Sequence, residues 1–127
     1  MENVVLIILL ALAQFTWFSA RVGIARGKYG VDAPKTTGNE TWERLFRVQQ
    51  NTMEQLVLFI PALLAFSVYL SARWALVPGV VYLVGRQLYS WEYISKPISR
   101  TPGMALTLLA NAVLLAGALI GVGMKIF

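Results

Sequence analysis

Residues 4–20 and 102–124 contain no charged side chain. A helix needs about 20 predominantly apolar residues, within a range of about 17–25, to cross the hydrocarbon core of a bilayer. Both runs reach that length. A chain of 127 residues, folded in water, could not hide so much apolar surface. The composition agrees: 57% of residues are hydrophobic and only 13% are charged. A soluble domain carries about 25% charged residues. The sequence therefore reads as an all-α integral membrane protein, a single domain over residues 1–127.

Four spans are expected, over about residues 4–26, 42–72, 74–96 and 102–124, forming a four-transmembrane-helix bundle. A cleaved leader competes for the first run. No positive charge precedes it in Met1-Glu2-Asn3, and basic residues follow it instead, so a retained helix is expected. Beyond about Arg26 the glycines and Pro34 predict a loop. Thr41 is the expected cap of the second helix, and Asn39-Glu40-Thr41 matches a glycosylation acceptor that a cytoplasmic loop would never use. Pro61 predicts a kink, and Ser71-Ala72-Arg73 a very short turn. Gly117 and Gly121 form a small-xxx-small pair that predicts close helix packing.

Net charge is +5. The basic residues sit beside apolar runs, so orientation and anionic lipid account for them, and no nucleic-acid partner is expected. The first connecting region holds Arg21, Arg26, Lys28, Lys35, Arg44 and Arg47, and the third holds Lys96 and Arg100. The opposite side has Arg73 and Lys125. Both basic connections are therefore expected in the cytoplasm, with the termini outside, and a bacterial inner membrane suits the short loops.

The chain has no Cys and no His, which excludes thiol nucleophiles, imidazole bases and the usual zinc sites. The six acidic residues do not cluster as metal ligands would, and no metal is expected. Chemistry must come from Arg, Tyr, Asn, Gln, Glu or Ser, or from an imported reactive group. At about 100° per residue, Arg44, Arg47, Asn51, Glu54 and Gln55 fall on one side of the second helix, and Gln49 points away. Ionic groups entering a bilayer are costly beside lipid, so Arg47, Asn51 and Glu54 predict a buried polar site, whereas Arg44 reads as a solvated helix end. In the third span Arg86, Tyr89 and Tyr93 share a face. Arg86 is either a ligand contact or an ion partner of Glu54. Trp74 and Trp91 read as an interfacial belt. Together the two stripes predict a basic, aromatic-lined pocket for a small anionic ligand meeting an apolar molecule dissolved in the bilayer.

Glu43-Arg44-Leu45-Phe46-Arg47-Val48-Gln49-Gln50-Asn51-Thr52-Met53-Glu54 resembles the signature of the membrane-associated proteins in eicosanoid and glutathione metabolism, the MAPEG family. The resemblance extends through the Arg86, Tyr89, Tyr93 and Arg100 segment and covers nearly the whole chain. It implies a homotrimer with glutathione bound between subunits. Arg47, Asn51, Glu54, Tyr89 and Tyr93 would hold glutathione from one subunit, and Arg26 and Gln49 from the next. Arg100 would be catalytic, stabilising the thiolate. The implied activity is conjugation of glutathione to lipophilic electrophiles, with possible peroxidase activity on lipid hydroperoxides. The runner-up is a non-catalytic lipid-binding scaffold of the same fold. Gln55 and Gly27 depart from leukotriene-forming members, which carry a tyrosine and an arginine there. These differences bear on a leukotriene-specific role more than on glutathione binding.

Overall fold

The computed structural model describes residues 1–95 and 101–127. Among them the regular structure is entirely helical: α1 (Glu2–Tyr29), α2 (Glu40–Phe66), a π turn (Ser67–Ser71), α3 (Ala72–Ser95) and α4 (Thr101–Ile126).

Three helical stretches are long and apolar enough to cross a membrane: Glu2–Tyr29, Glu40–Ser95 and Thr101–Ile126. The middle one has 56 residues. Drawn straight at about 1.5 Å per residue, it would far exceed a core about 30 Å thick. It doubles back instead. Phe59 stacks on Tyr82 with ring centroids 3.8 Å apart, and Asn51 is bonded to Arg86. Both pairings make α2 and α3 antiparallel neighbours. The reversal lies at Ser67–Ser71, earlier than the expected Ser71-Ala72-Arg73, and α3 already begins at Ala72. Serine hydroxyls ease it. Ser67 Oγ donates to Leu63 O at 2.7 Å, and Ser71 Oγ accepts from Trp74 N at 3.1 Å. Such bonds satisfy backbone groups that a tight reversal strands in an apolar setting.

The start of α2 also differs from expectation. Asn39, not Thr41, is its N-cap, with an extended backbone and a side chain that accepts from Trp42 N at 2.9 Å. An Asx oxygen one residue before the helix reaches an orphan N–H better than a hydroxyl already inside it. The Glu43 carboxylate accepts from Gly38 N at 3.4 Å, closing the same end from the other direction. α1 runs on to Tyr29 and stops where Gly30 adopts the left-handed conformation, φ 69°, ψ 32°. Trp42 anchors this end. It is fully buried, its indole N–H donates to Val22 O at 3.1 Å, and its ring stacks on Phe46.

The main core fills one end of the bundle through Ile7, Ala11, Phe59, Leu63, Tyr82 and Leu114, and two smaller clusters, around Phe18, Val48 and Tyr89 and around Val22 and Trp42, fill the other. The outer surface is also apolar: Leu9, Trp17, Val57, Trp74, Trp91, Leu119 and Ile120 are all exposed. A surface of that kind is suited to lipid or to further copies of the chain.

α4 approaches its neighbours through glycine. Gly117 abuts the Phe66 ring, and Gly121 abuts the backbone of Tyr69. Gly103 makes the closest approach to backbone: a Cβ there would overlap the Tyr89 backbone and come within 2.8 Å of Gly85 O. Gly103→Ala is therefore expected to push α4 off α3 and to lower stability by about 1–3 kcal/mol. Gly23, by contrast, has nothing within 4 Å of the same built atom. Gly23→Ala should leave the melting temperature unchanged or raise it slightly, because alanine is favoured over glycine within a helix by about 0.5–1 kcal/mol. Thermal unfolding of the two variants in detergent tests the opposite signs.

Candidate functional site

The recurrence 47, 51, 54 places three polar side chains on one face of α2. The recurrence 89, 93 does the same for two tyrosines on α3, whose rings stack at 5.5 Å. These faces meet around a cleft of about 360 Å³ lined by Arg47, Asn51, Glu54, Tyr89, Tyr93 and Met104. Small-molecule sites occupy about 300–1,000 Å³. Past Arg47, Glu54 and Tyr93 the cleft adjoins a wider groove of about 650 Å³, which Thr36, Glu40, Arg44 and Gln50 help to line.

Arg47 and Glu54 carry opposite charges but stand seven residues apart on one helix, about 10 Å along its axis. That is too far for a direct ion pair, and among the described residues neither makes one. The cleft thus offers one cation and one anion from positions two helical turns apart on one wall. Tyr89 and Tyr93 add aromatic walls, and Asn51 adds an amide.

Arg44 is already engaged. It pairs with Glu40 and donates to Ile94 O at 3.2 Å, tying the start of α2 to the end of α3. Arg26 and Gln49 lie on the other side of α2. Arg26 donates to Val31 O and to Lys35 O, and its guanidinium sits 4.5 Å from the Trp42 ring. Gln49 donates to Ser19 Oγ on α1 at 3.1 Å. Neither lines the cleft of its own chain. Arg100 lies outside the described residues.

Arg86 departs from both expectations. It is 0% exposed and does not line the cleft, so direct ligand contact is not what its position supports. Nor does it pair with Glu54. Its Nη1 donates to Asn51 Oδ1 at 2.7 Å and to Thr52 Oγ1 at 3.3 Å, and its Nε donates to Thr107 Oγ1 at 3.0 Å. It also lies 4.4 Å from the Tyr89 ring centre. The buried guanidinium is a bridge between α2, α3 and α4. Glu54 is exposed, as is Arg47, so of the three residues expected to be buried only Asn51 is partly covered.

Sequence reasoning did not single out Thr52, Thr107 or Asn111, all buried. Asn111 donates to Gln55 Oε1 at 2.8 Å, which turns Gln55 inward to the bundle. Thr107 and Asn111 are one helical turn apart in an otherwise apolar run. That spacing was the available signal, since polar groups in such a run face a partner helix.

The comparisons with known proteins bear on this arrangement. An uncharacterized protein of Synechocystis is 44% identical over 92% of this chain and 85% of its own length. Human microsomal glutathione S-transferase 2 is 40% identical over 87% of this chain and 76% of its own. Guinea-pig leukotriene C4 synthase is 34% identical over 89% of this chain and 75% of its own. A sequence model of the MAPEG family matches residues 4–120, and with it the helices that build the cleft: the chain belongs to the MAPEG family.

Proposed function

We propose that this integral membrane protein is a glutathione-dependent transferase that joins the glutathione thiolate to lipophilic electrophiles. The observation that carries the reading is the cleft that one cation, Arg47, and one anion, Glu54, share with two tyrosines, the two charges having no ion partner among the described residues and standing two helical turns apart on α2. Glutathione has two carboxylates, one ammonium group and a thiol. Arg47 matches a carboxylate, Glu54 matches the ammonium, and Asn51, Tyr89 and Tyr93 match the peptide groups. The donor set therefore fits the molecule.

One carboxylate is left over, and a second cation is needed. Arg26 stands on the α1 side of α2 together with Gln49, away from the cleft of its own chain. In a homotrimer that side would face a neighbour, so Arg26 and Gln49 would complete the site of the adjacent subunit. The 56-residue stretch from Glu40 to Ser95 would cross the membrane twice, once on each side of the π turn, giving four spans in a single domain. The basic first and third connections would place the cleft on the cytoplasmic side of a bacterial inner membrane.

When bound, glutathione would supply the nucleophile, a sulfur that this Cys-free and His-free chain lacks. The protein's part is electrostatic and positional. Arg47 and Glu54 fix the ends of the tripeptide, and Tyr93 borders both the inner cleft and the outer groove. Arg100 would stand beside the sulfur, because a nearby cation favours the ionised thiol. The apolar flanks of the bundle would admit an electrophile from the lipid, and the same geometry would serve reduction of lipid hydroperoxides.

Three measurements test this. In calorimetry in detergent the wild type should bind glutathione, and Arg47→Ala should weaken binding about 10- to 100-fold through loss of a charge-assisted bond. No binding by the wild type would overturn the reading in favour of a non-catalytic lipid-binding scaffold. With a chlorinated nitrobenzene as electrophile, Arg100→Ala should slow turnover. Its pH profile should also move upward by about 1–3 units, since losing the cation raises the thiol pKa and a higher pH is needed to form the thiolate. Equal rates and an unmoved profile would remove Arg100 from the chemistry.

A further inference from the structure

Arg86 is enclosed on every side, yet it touches two residues of the cleft wall. Its Nη1 donates to Asn51 Oδ1 at 2.7 Å, and its guanidinium carbon lies 4.4 Å from the centre of the Tyr89 ring. Its other acceptors are hydroxyls, Thr52 Oγ1 and Thr107 Oγ1. Among the described residues no carboxylate neutralises it. A buried cation with only neutral acceptors depends on each of them, since it cannot turn to water instead.

That dependence fixes the orientation of Asn51. A guanidinium has five N–H donors and no acceptor. The Asn51 atom that faces it must be the carbonyl oxygen, because the amide's other end carries only donors. Turning the amide over would set NH2 against the cation and strip the charge of an acceptor, a change that disfavours the flipped form about 10- to 100-fold. With Oδ1 committed to Arg86, the half of Asn51 left for the cleft is the NH2 group, which can only donate.

We infer that Arg86 is a positioning residue: it never meets the ligand, but it locks Asn51 as a hydrogen-bond donor into the cleft and holds the adjacent Tyr89 wall, so that this part of the site accepts a ligand oxygen and rejects a ligand N–H. The inference deepens the glutathione reading above and rests on it only for the identity of the ligand. It assigns the oxygen-reading element to an interior cation that is not among the residues lining the cleft. It also explains why a costly charge sits between three helices with no counter-ion among the described residues.

The decisive variant is Asn51→Asp, which leaves Arg86 in place. One carboxylate oxygen can still accept from Arg86, now as an ion pair, while the other turns an acceptor instead of a donor toward the cleft. The melting temperature in detergent without ligand should hold or rise, and calorimetry should show glutathione bound about 10- to 100-fold more weakly than by the wild type. A merely structural role for this contact would predict unchanged binding in a variant that keeps its stability, and that result would overturn the inference. A second measurement needs no ligand. In thermal unfolding of Arg86→Met, Asn51→Leu and the double variant, the two losses should overlap strongly, because Asn51 has little to hold once Arg86 is gone. Simple additivity would sink the hold on Asn51, whether or not glutathione binds. Failure of the wild type to bind glutathione would sink the functional reading alone. If Arg86→Met does not fold, the Asn51→Asp pair of measurements decides by itself.

Discussion

The interaction on which the rest of this bundle depends is the contact of one buried guanidinium with three helices. Arg86 on α3 reaches α2 through Asn51 and Thr52 and reaches α4 through Thr107. In lipid the usual force that drives apolar faces together is weak, because hydrocarbon chains are as good a neighbour as leucine. Polar groups with nowhere else to turn then fix which helix faces which. An arginine in this position fixes rotation and register together, since its planar fork accepts only partners in set directions.

Close packing makes that contact possible. Gly103 lets the first turns of α4 lie against the backbone of Tyr89, and Gly85 accepts the approach from the other side. Thr107, one turn further along α4, is thereby brought to Arg86, and Thr107 Oγ1 also donates to Gly103 O at 3.0 Å. The same neighbourhood carries Tyr89 and Met104 into the cleft wall. Packing and site are therefore not separable here: the glycine that seats α4 also sets the distance between two walls of the cleft.

The polar residues divide by depth and direction. Toward the interior, Arg86, Thr52, Thr107 and Asn111 are buried and tie helices together. Toward the cleft, Arg47 and Glu54 remain without an ion partner among the described residues and are open to a ligand. Toward α1, Gln14 donates to Leu83 O and Arg21 donates to Ser90 Oγ, holding the first helix on the third. A stripe that looks uniform on a helical wheel is thus shared between scaffold and site.

The amino-acid sequence by itself determined the helical class and the apolar setting, because uncharged runs such as 102–124 are a property of composition that no packing can reverse. It also determined that Arg47, Asn51 and Glu54 share a face and that Gln49 does not, because helical periodicity is local. The tertiary structure decided what each face meets. It made Arg86 a bridge where periodicity allowed a ligand contact or an ion pair with Glu54, and it turned Gln55 toward Asn111 on a helix 56 residues away. It also chose Asn39 over Thr41 as the cap and moved the reversal to Ser67–Ser71. Each of these turns on a partner far along the chain or on a few tenths of an ångström at a helix end. Periodicity gives the direction of a side chain about its own axis; only the assembled bundle supplies the atom waiting there.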